Sequence, residues 1–273
     1  MHGSAPSLVQ SGKGLEALYR RYNRRCFIHP DPLEFLYRFS NPQDREIFGL
    51  LASSLAYGKV EQILRSLSAA FLQTGSSPFL YLCHSSFEEI KADFEGFRHR
   101  FTTGADIALL LWSAKRLIQE HGSLYECFLA GYDEGHETVL PALSAFVGQL
   151  RRDACCTWCG FLPSPERGSP CKRLNLFLRW MVREDDVDPG GWKGICPSKL
   201  IVPLDTHMHR IGLMLGLTKR KQADLRTAVE ITEAFRALSP EDPVRYDFVL
   251  TRFGIRNDMD KSGLTELCAN PAS

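Results

Sequence analysis

Helix start and stop signals recur along this chain, and strand signals hardly occur. No run of alternating apolar and polar residues leads into a hairpin turn. Asn41-Pro42 reads as an N-cap with proline at the first helical position, opening a helix over Gln43–Ala56. Tyr57-Gly58-Lys59 breaks it, and Val60–Gln73 resumes with Ile63, Leu67 and Phe71 at helical spacing. Asp106–His121 is apolar and stops at Gly122. Ser123 caps a short helix that ends at Gly131, and Glu137–Arg152 follows. Cys171–Arg183, Asp205–Leu215 and Leu225–Leu238 carry helical patterns, and Ser239-Pro240 opens a last helix that ends at Gly254. The pattern predicts an all-α chain.

Residues 153–170 and Glu184–Pro197 hold too many prolines and glycines to continue a helix and read as long loops. With 44% apolar residues the chain can bury a large core. No internal repeat and no clean linker divides it. The longest apolar runs, such as Ala105–Ser113, fall far short of the roughly 18 residues a membrane span needs, so no membrane partner is expected. Met1–Pro6 carries no charged-then-apolar leader pattern, and the nine cysteines are an odd number. The expectation is a cytoplasmic protein with reduced thiols rather than a disulfide framework.

Net charge is only +1, so a nucleic-acid partner has to be argued from local charge. From Arg151 to Arg183 seven Lys/Arg face Asp153 and Glu166; from Lys199 to Arg226 six face Asp205 and Asp224. Two basic segments flanking one loop suit a polyanion, although solvated helix faces give the same pattern. On the helix of 171–183, Lys172, Asn175, Arg179 and Arg183 form one polar stripe opposite Leu174, Phe177, Leu178 and Met181. Such a stripe lines a cleft or lies on the surface. At a cleft mouth a partly desolvated Lys172 amine becomes a better nucleophile. Asp205 opens its helix as a cap, which holds the carboxylate fixed and ionised, either for structure alone or to stabilise a developing cation.

Metal readings are weak. Asp205 and His209 share a helix face, but His207 points away, so the three make a poor chelate. Cys155, Cys156, Cys159 and Cys171 lack the second pair a zinc ribbon needs. They read as free or buried thiols, with a zinc or iron–sulfur site as the alternative. No cofactor is expected.

Val202-Pro203-Leu204-Asp205-Thr206-His207-Met208-His209-Arg210-Ile211, followed by Leu215-Gly216-Leu217, resembles the segment of the endonuclease III branch of helix-hairpin-helix DNA glycosylases that carries the catalytic aspartate. Gly168-Ser169-Pro170-Cys171-Lys172-Arg173-Leu174-Asn175 is similar to the family hairpin with the catalytic lysine of the bifunctional members. Ile47–Val60 resembles a third family segment. As a whole the chain is similar to a divergent, functionally uncharacterised bacterial family of that superfamily, through LAYGKV, CKRLNLFLRWMVR, PLDTHMHRIG and DPVRYDFVLTRFGI. There are departures. Pro170 removes a backbone N–H that would hold phosphate. The family's gap-filling glutamine is absent, with Tyr57 as a substitute wedge. The C-terminal iron–sulfur loop is missing, since only Cys268 lies beyond Gly254.

The resemblance implies a two-lobed helical glycosylase-type fold. One lobe would span 41–183, with a degenerate hairpin at about 166–183; the other would join 1–40 to 198–273. It implies a monomeric DNA glycosylase and AP lyase of base-excision repair, with Lys172 as nucleophile and Asp205 as electrostatic and acid–base partner. Asn175, Arg173, Arg179, Tyr57, Lys59, His209 and Arg210 become candidate DNA contacts. Trp192 is placed to stack on the base or to pack within its own loop. The alternatives are a non-catalytic nucleic-acid-binding protein of the same fold, or an enzyme cleaving a small N-glycoside.

Overall fold

The computed structural model describes residues 8–152, 160–256 and 259. Twelve α-helices lie among them. In chain order, α1 is Leu8–Tyr22, α2 Pro42–Ser54, α3 Val60–Thr74, α4 Pro78–His84, α5 Phe87–Asp93 and α6 Gly104–His121. Then α7 is Leu124–Leu129, α8 Leu140–Leu150, α9 Lys172–Val182, α10 Thr206–Met214, α11 Leu225–Arg236 and α12 Asp247–Ile255. A small antiparallel hairpin pairs β1 (Arg98–His99) with β2 (Thr102–Thr103), Arg98 opposite Thr103 and His99 opposite Thr102. Two residues per strand are too few to show an alternation, which is why the pattern predicts none. Among the described residues the regular structure is otherwise helical. Among the described residues no helix is long and apolar enough to cross a membrane.

The helix starts follow from local chemistry. Asn41 accepts the Gln43 N–H at 2.9 Å, with Pro42 in the first position, which needs no donor. Thr103 and Asp106 close a reciprocal capping box on α6. The last helix departs from expectation: Ser239–Tyr246 forms turns, and α12 starts only at Asp247. Pro243 explains the delay, because it disfavours helical geometry at Asp242 and offers no N–H.

Helices α2 and α9 pack on one another at the centre of the molecule. The two come close at Gly49 on α2, where a Cβ would lie in ordinary contact with the Phe177 ring at 3.4 Å and Met181 Sδ at 3.5 Å. Every residue from Leu174 to Val182 is buried. The polar stripe on α9 therefore faces inward over its central and final turns, contrary to an exposed basic face. Around this pair, α1 and α10 pack on α12, while the 3₁₀ stretch Pro32–Arg38 lies against α2 and α3. That stretch falls in the sequence lobe of 1–40 and 198–273, yet it packs on the other one. One continuous apolar cluster runs from Leu15 to Phe253.

Two helices approach unusually closely where α10 begins. Gly254 on α12 lies against the His207 ring, and a Cβ there would meet Nδ1 at 2.9 Å.

Candidate active site

A cleft of about 870 Å³ opens where three helix ends meet. The residues after α2 form one wall, Ala56 to Val60. The first turns of α9 and α10 supply Lys172, Arg173 and Asp205. Asp247, Thr251 and Arg252 of α12 line it, together with Arg179 and Asp31. Two other hollows of about 830 and 870 Å³ lie over α8 and over α1. Both hold only exposed or half-exposed carboxyls, Glu166 and Glu16.

The cleft is organised by helix termini. Lys172 Nζ donates to Ala56 O at 3.1 Å, and Arg173 Nη1 donates to Ser54 O at 2.9 Å. These carbonyls lie at the end of α2, where no further turn can satisfy them, so the two cations serve as its C-terminal cap. Arg173 gives its other terminal nitrogen to Gly160 O and sits 5.1 Å from the Tyr57 ring centroid. Burial pulls its pKa down. Arg173 thus touches the cleft, but its terminal nitrogens bond protein carbonyls.

Asp205 caps α10. Its Oδ1 accepts the N–H groups of His207 and Met208, each at 2.9 Å, leaving Oδ2 out of the cap. Cys171, just before Lys172, holds a left-handed φ of 45°, rare for a residue with a side chain. Its Sγ donates to Pro163 O, and burial pushes its thiol up to about 11. The turn ahead of it is tied elsewhere: Gly168 O accepts the Leu225 N–H, and Asn175 Nδ2 donates to Pro170 O at 2.9 Å.

The structure brings Lys172, Asp205, Arg173, Arg179, Tyr57 and Lys59 to one cleft and leaves the other sequence candidates outside it. Asn175 is buried against Pro170 and does not line the cleft. His209 Nε2 bonds Arg220 O at 2.8 Å, and Arg210 is exposed away from the cleft. Trp192 is only 3% exposed. Its Nε1 donates to Glu46 Oε2, and its ring packs edge-on to Phe177 with centroids 5.0 Å apart. A tryptophan held this way is core, and stacking on a base is corrected to packing. Burial pushes Glu46 up to about 7 against the N–H donors of Leu124, Trp192 and Tyr125.

Arg179 is corrected too. It lines the cleft floor, but it bonds Asp188 through Nε and Nη2 and Asp247 through Nη1. Arg183 next to it bonds Asp188, Asp185 and Asp242. Neither guanidinium is a phosphate contact. Of the cysteine cluster, Cys155, Cys156 and Cys159 lie outside the described residues. Among the described residues no group of three His, Cys, Asp or Glu is placed to hold a metal.

Two features escape the sequence reading. Asp247, 2% exposed, gives one oxygen to Arg179 and leaves Oδ1 without a partner. Burial pushes its carboxyl up to about 6; Arg179 opposes this, Asp205 adds to it, and Lys172 opposes it. Asp247, Thr251 and Gly254 recur at i, i+4 and i+7 among apolar neighbours, the same signal that singles out Lys172. The second feature is the hairpin tip. Phe101 is 83% exposed, beside Arg100 with a left-handed φ of 53°. Tyr57 anchors this tip to the cleft: its hydroxyl donates to His99 O at 2.9 Å and pairs with Thr102 Oγ1 at 2.7 Å. Gly58 clears the space, since a Cβ there would meet Arg100 Cδ at 2.7 Å.

The family described as Protein of unknown function (DUF2400) matches residues 31–256. The chain belongs to this family. The DUF2400 match begins at Asp31 and runs past Ile255, so it takes in every residue of the cleft. No curated protein and no solved structure matches this DUF2400 chain.

Proposed function

We propose that the cleft cleaves the N-glycosidic bond of a damaged nucleotide in DNA and then the strand beside it, in the manner of a divergent helix-hairpin-helix glycosylase. The observation that carries this reading is that Lys172 and Asp205, far apart in sequence, line one cleft at the N-terminal ends of two helices. A volume of about 870 Å³ falls within the range of sites that take a small molecule, roughly 300–1,000 Å³. A nucleotide flipped out of the stack is such an occupant.

In this mechanism Asp205 relays a proton from the Lys172 ammonium to solvent and is left ionised, and the free amine attacks the sugar C1′. The Nζ–C1′ bond forms as the bond to the base breaks, and the electron pair of that bond leaves with the base. The sugar opens to a Schiff base on Lys172, from which β-elimination cuts the strand. The negative charge of Asp205 opposes the positive charge that spreads over the sugar. Helix N-termini also favour the phosphates on either side. Tyr57 and Lys59 line the cleft, and Arg100 at the hairpin tip lies against Tyr57 and Gly58, which makes this edge the candidate path for a strand.

A second reading has one observation in its favour: Lys172 Nζ already bonds Ala56 O, as a purely structural cap would. The protein would then bind nucleic acid without chemistry. Borohydride reduction in the presence of a duplex carrying an abasic site separates the two. The glycosylase reading expects a covalent adduct that Lys172→Ala abolishes and Asp205→Asn slows on the order of a hundredfold or more. Asparagine also caps helices, so the second variant keeps its stability. No adduct from the wild type, with Lys172→Ala lowering affinity instead, supports the binder.

A further inference from the structure

We propose that Asp247 is a second catalytic carboxyl of this cleft, the acid that gives its proton to the departing base; this rests on the glycosylase reading above.

One carboxyl oxygen in the cleft wall has nothing to bond. Asp247 is buried on the cleft lining, and its Oδ1 has no hydrogen-bond partner. A buried polar atom without a partner is uncommon, and one on a residue of the cleft wall is a candidate to meet what the cleft takes in. The two carboxyls of the cleft are built differently. Asp205 Oδ1 is committed to two backbone donors. Asp247 Oδ1 faces no donor, so it has room for a proton.

Charge points the same way. Two guanidiniums, Arg179 and Arg183, already face three carboxylates, Asp185, Asp188 and Asp242, before Asp247 is counted. Burial pushes the Asp188 carboxyl upward, and its two guanidinium partners oppose that. Arg252 on α12 is matched by Asp31. The groups acting on Asp247 are then Arg179 and Lys172 from α9 and Asp205 from α10. Ionising Asp247 adds a fourth negative charge to a cluster that already has one in excess, next to Asp205. Its carboxyl, pushed up to about 6, is protonated in about half of the molecules at that pH and in fewer as pH rises.

The step balances. As Lys172 Nζ bonds to C1′, the C1′–N electron pair passes to the base, and Asp247 Oδ1–H supplies the proton that lets the base leave neutral. The carboxylate left behind stays bonded to Arg179 through Oδ2, and solvent restores its proton after release.

An abasic site has no base to protonate, and this separates the acid from the nucleophile. The probes are a duplex with one abasic site and matched duplexes with 8-oxoguanine, thymine glycol or uracil in its place. Asp247→Asn is expected to form the borohydride-trapped adduct on abasic DNA within about twofold of wild type. Base excision should fall about a hundredfold or more. Retained trapping also establishes that the variant folds. Should it not fold, the wild type serves: the ratio of excision rate to trapping rate falls with rising pH above about 6, and a flat ratio overturns the proposal. A wild type that reacts while Asp247→Asn excises as fast overturns the acid role alone. A wild type that never forms an adduct overturns the glycosylase reading and this role with it.

Discussion

Arg179 gives Asp188 two hydrogen bonds on a single oxygen, from Nε at 3.2 Å and Nη2 at 3.1 Å, and its remaining terminal nitrogen reaches Asp247. All three side chains are buried. Removing the guanidinium leaves the Asp247 carboxyl without its hydrogen-bond partner and Asp188 with Arg183 alone. Arg179→Met is expected to cost about 3–5 kcal/mol in urea unfolding. On the proposed glycosylase reading, the folded fraction should bind DNA with an unchanged salt slope, because Arg179 makes no phosphate contact. A variant of wild-type stability with a shallower salt slope would return Arg179 to the DNA surface.

Asp185 makes the acid limb of stability predictable. It accepts bonds from Arg183, Tyr19 and Asn23 and from the N–H groups of Val187 and Asp188. Against its burial, Arg183 and these donors hold its pKa down to about 2. A carboxyl depressed in the folded state stabilises it fully above its unfolded value of 3.8, and that stability is lost as pH falls from there through about 2. Asp185→Asn should therefore cost about 2 kcal/mol at neutral pH and lose less than wild type on acidification. Parallel stability curves for the two proteins over pH 2–5 would contradict this.

Trp192 offers a contrast between core and site. Trp192→Ala removes a ring packed among Tyr125, Phe128 and Phe177, and leaves Glu46 one donor short. The expected cost is about 3–5 kcal/mol. Trapped-adduct formation per folded molecule should not change. An adduct rate that collapses in a fully stable Trp192→Ala would mean that the indole reaches the substrate.

Phe101 is the reverse case. Nothing in the core depends on it, so Phe101→Ala should leave stability within about 0.5 kcal/mol of wild type. If the tip stacks on a base, affinity for single-stranded or lesion-containing DNA falls by about 1–3 kcal/mol, readable by fluorescence anisotropy. Equal affinities would remove the hairpin from the binding surface.

Much of the scaffold was legible because its signals are local. Asn41-Pro42, Ser123 before Leu124, and Asp205 before Thr206 announce helix starts within four residues, and the structure has helices there. Lys172 and Asp205 were found through motif resemblance and helical spacing, both local too. What stayed hidden depends on residues distant in sequence. Asp188 sits in a stretch that reads as a long acidic loop, and only the fold reveals that Arg179 and Arg183 close around it. Asp242 pairs with Arg183 from the turn ahead of α12. Asp247 was missed because Ser239-Pro240 drew the expected helix start forward, so the stripe that carries it was not phased. Arg100 and Phe101 belong to a hairpin too short to leave a period.

The contact between Gly254 and the His207 ring has a mechanical consequence. Asp205 rides on the first turn of α10, and Asp247 on the first turn of α12. The two helices meet where one residue contributes only a hydrogen atom. Gly254→Ala would act as a shim. The added methyl would push the α10 turn outward and widen the gap between the two acids, while both kept their own hydrogen bonds. The gauge of the cleft is thus held two helical turns from Asp247, by a residue that has no side chain with which to touch a substrate.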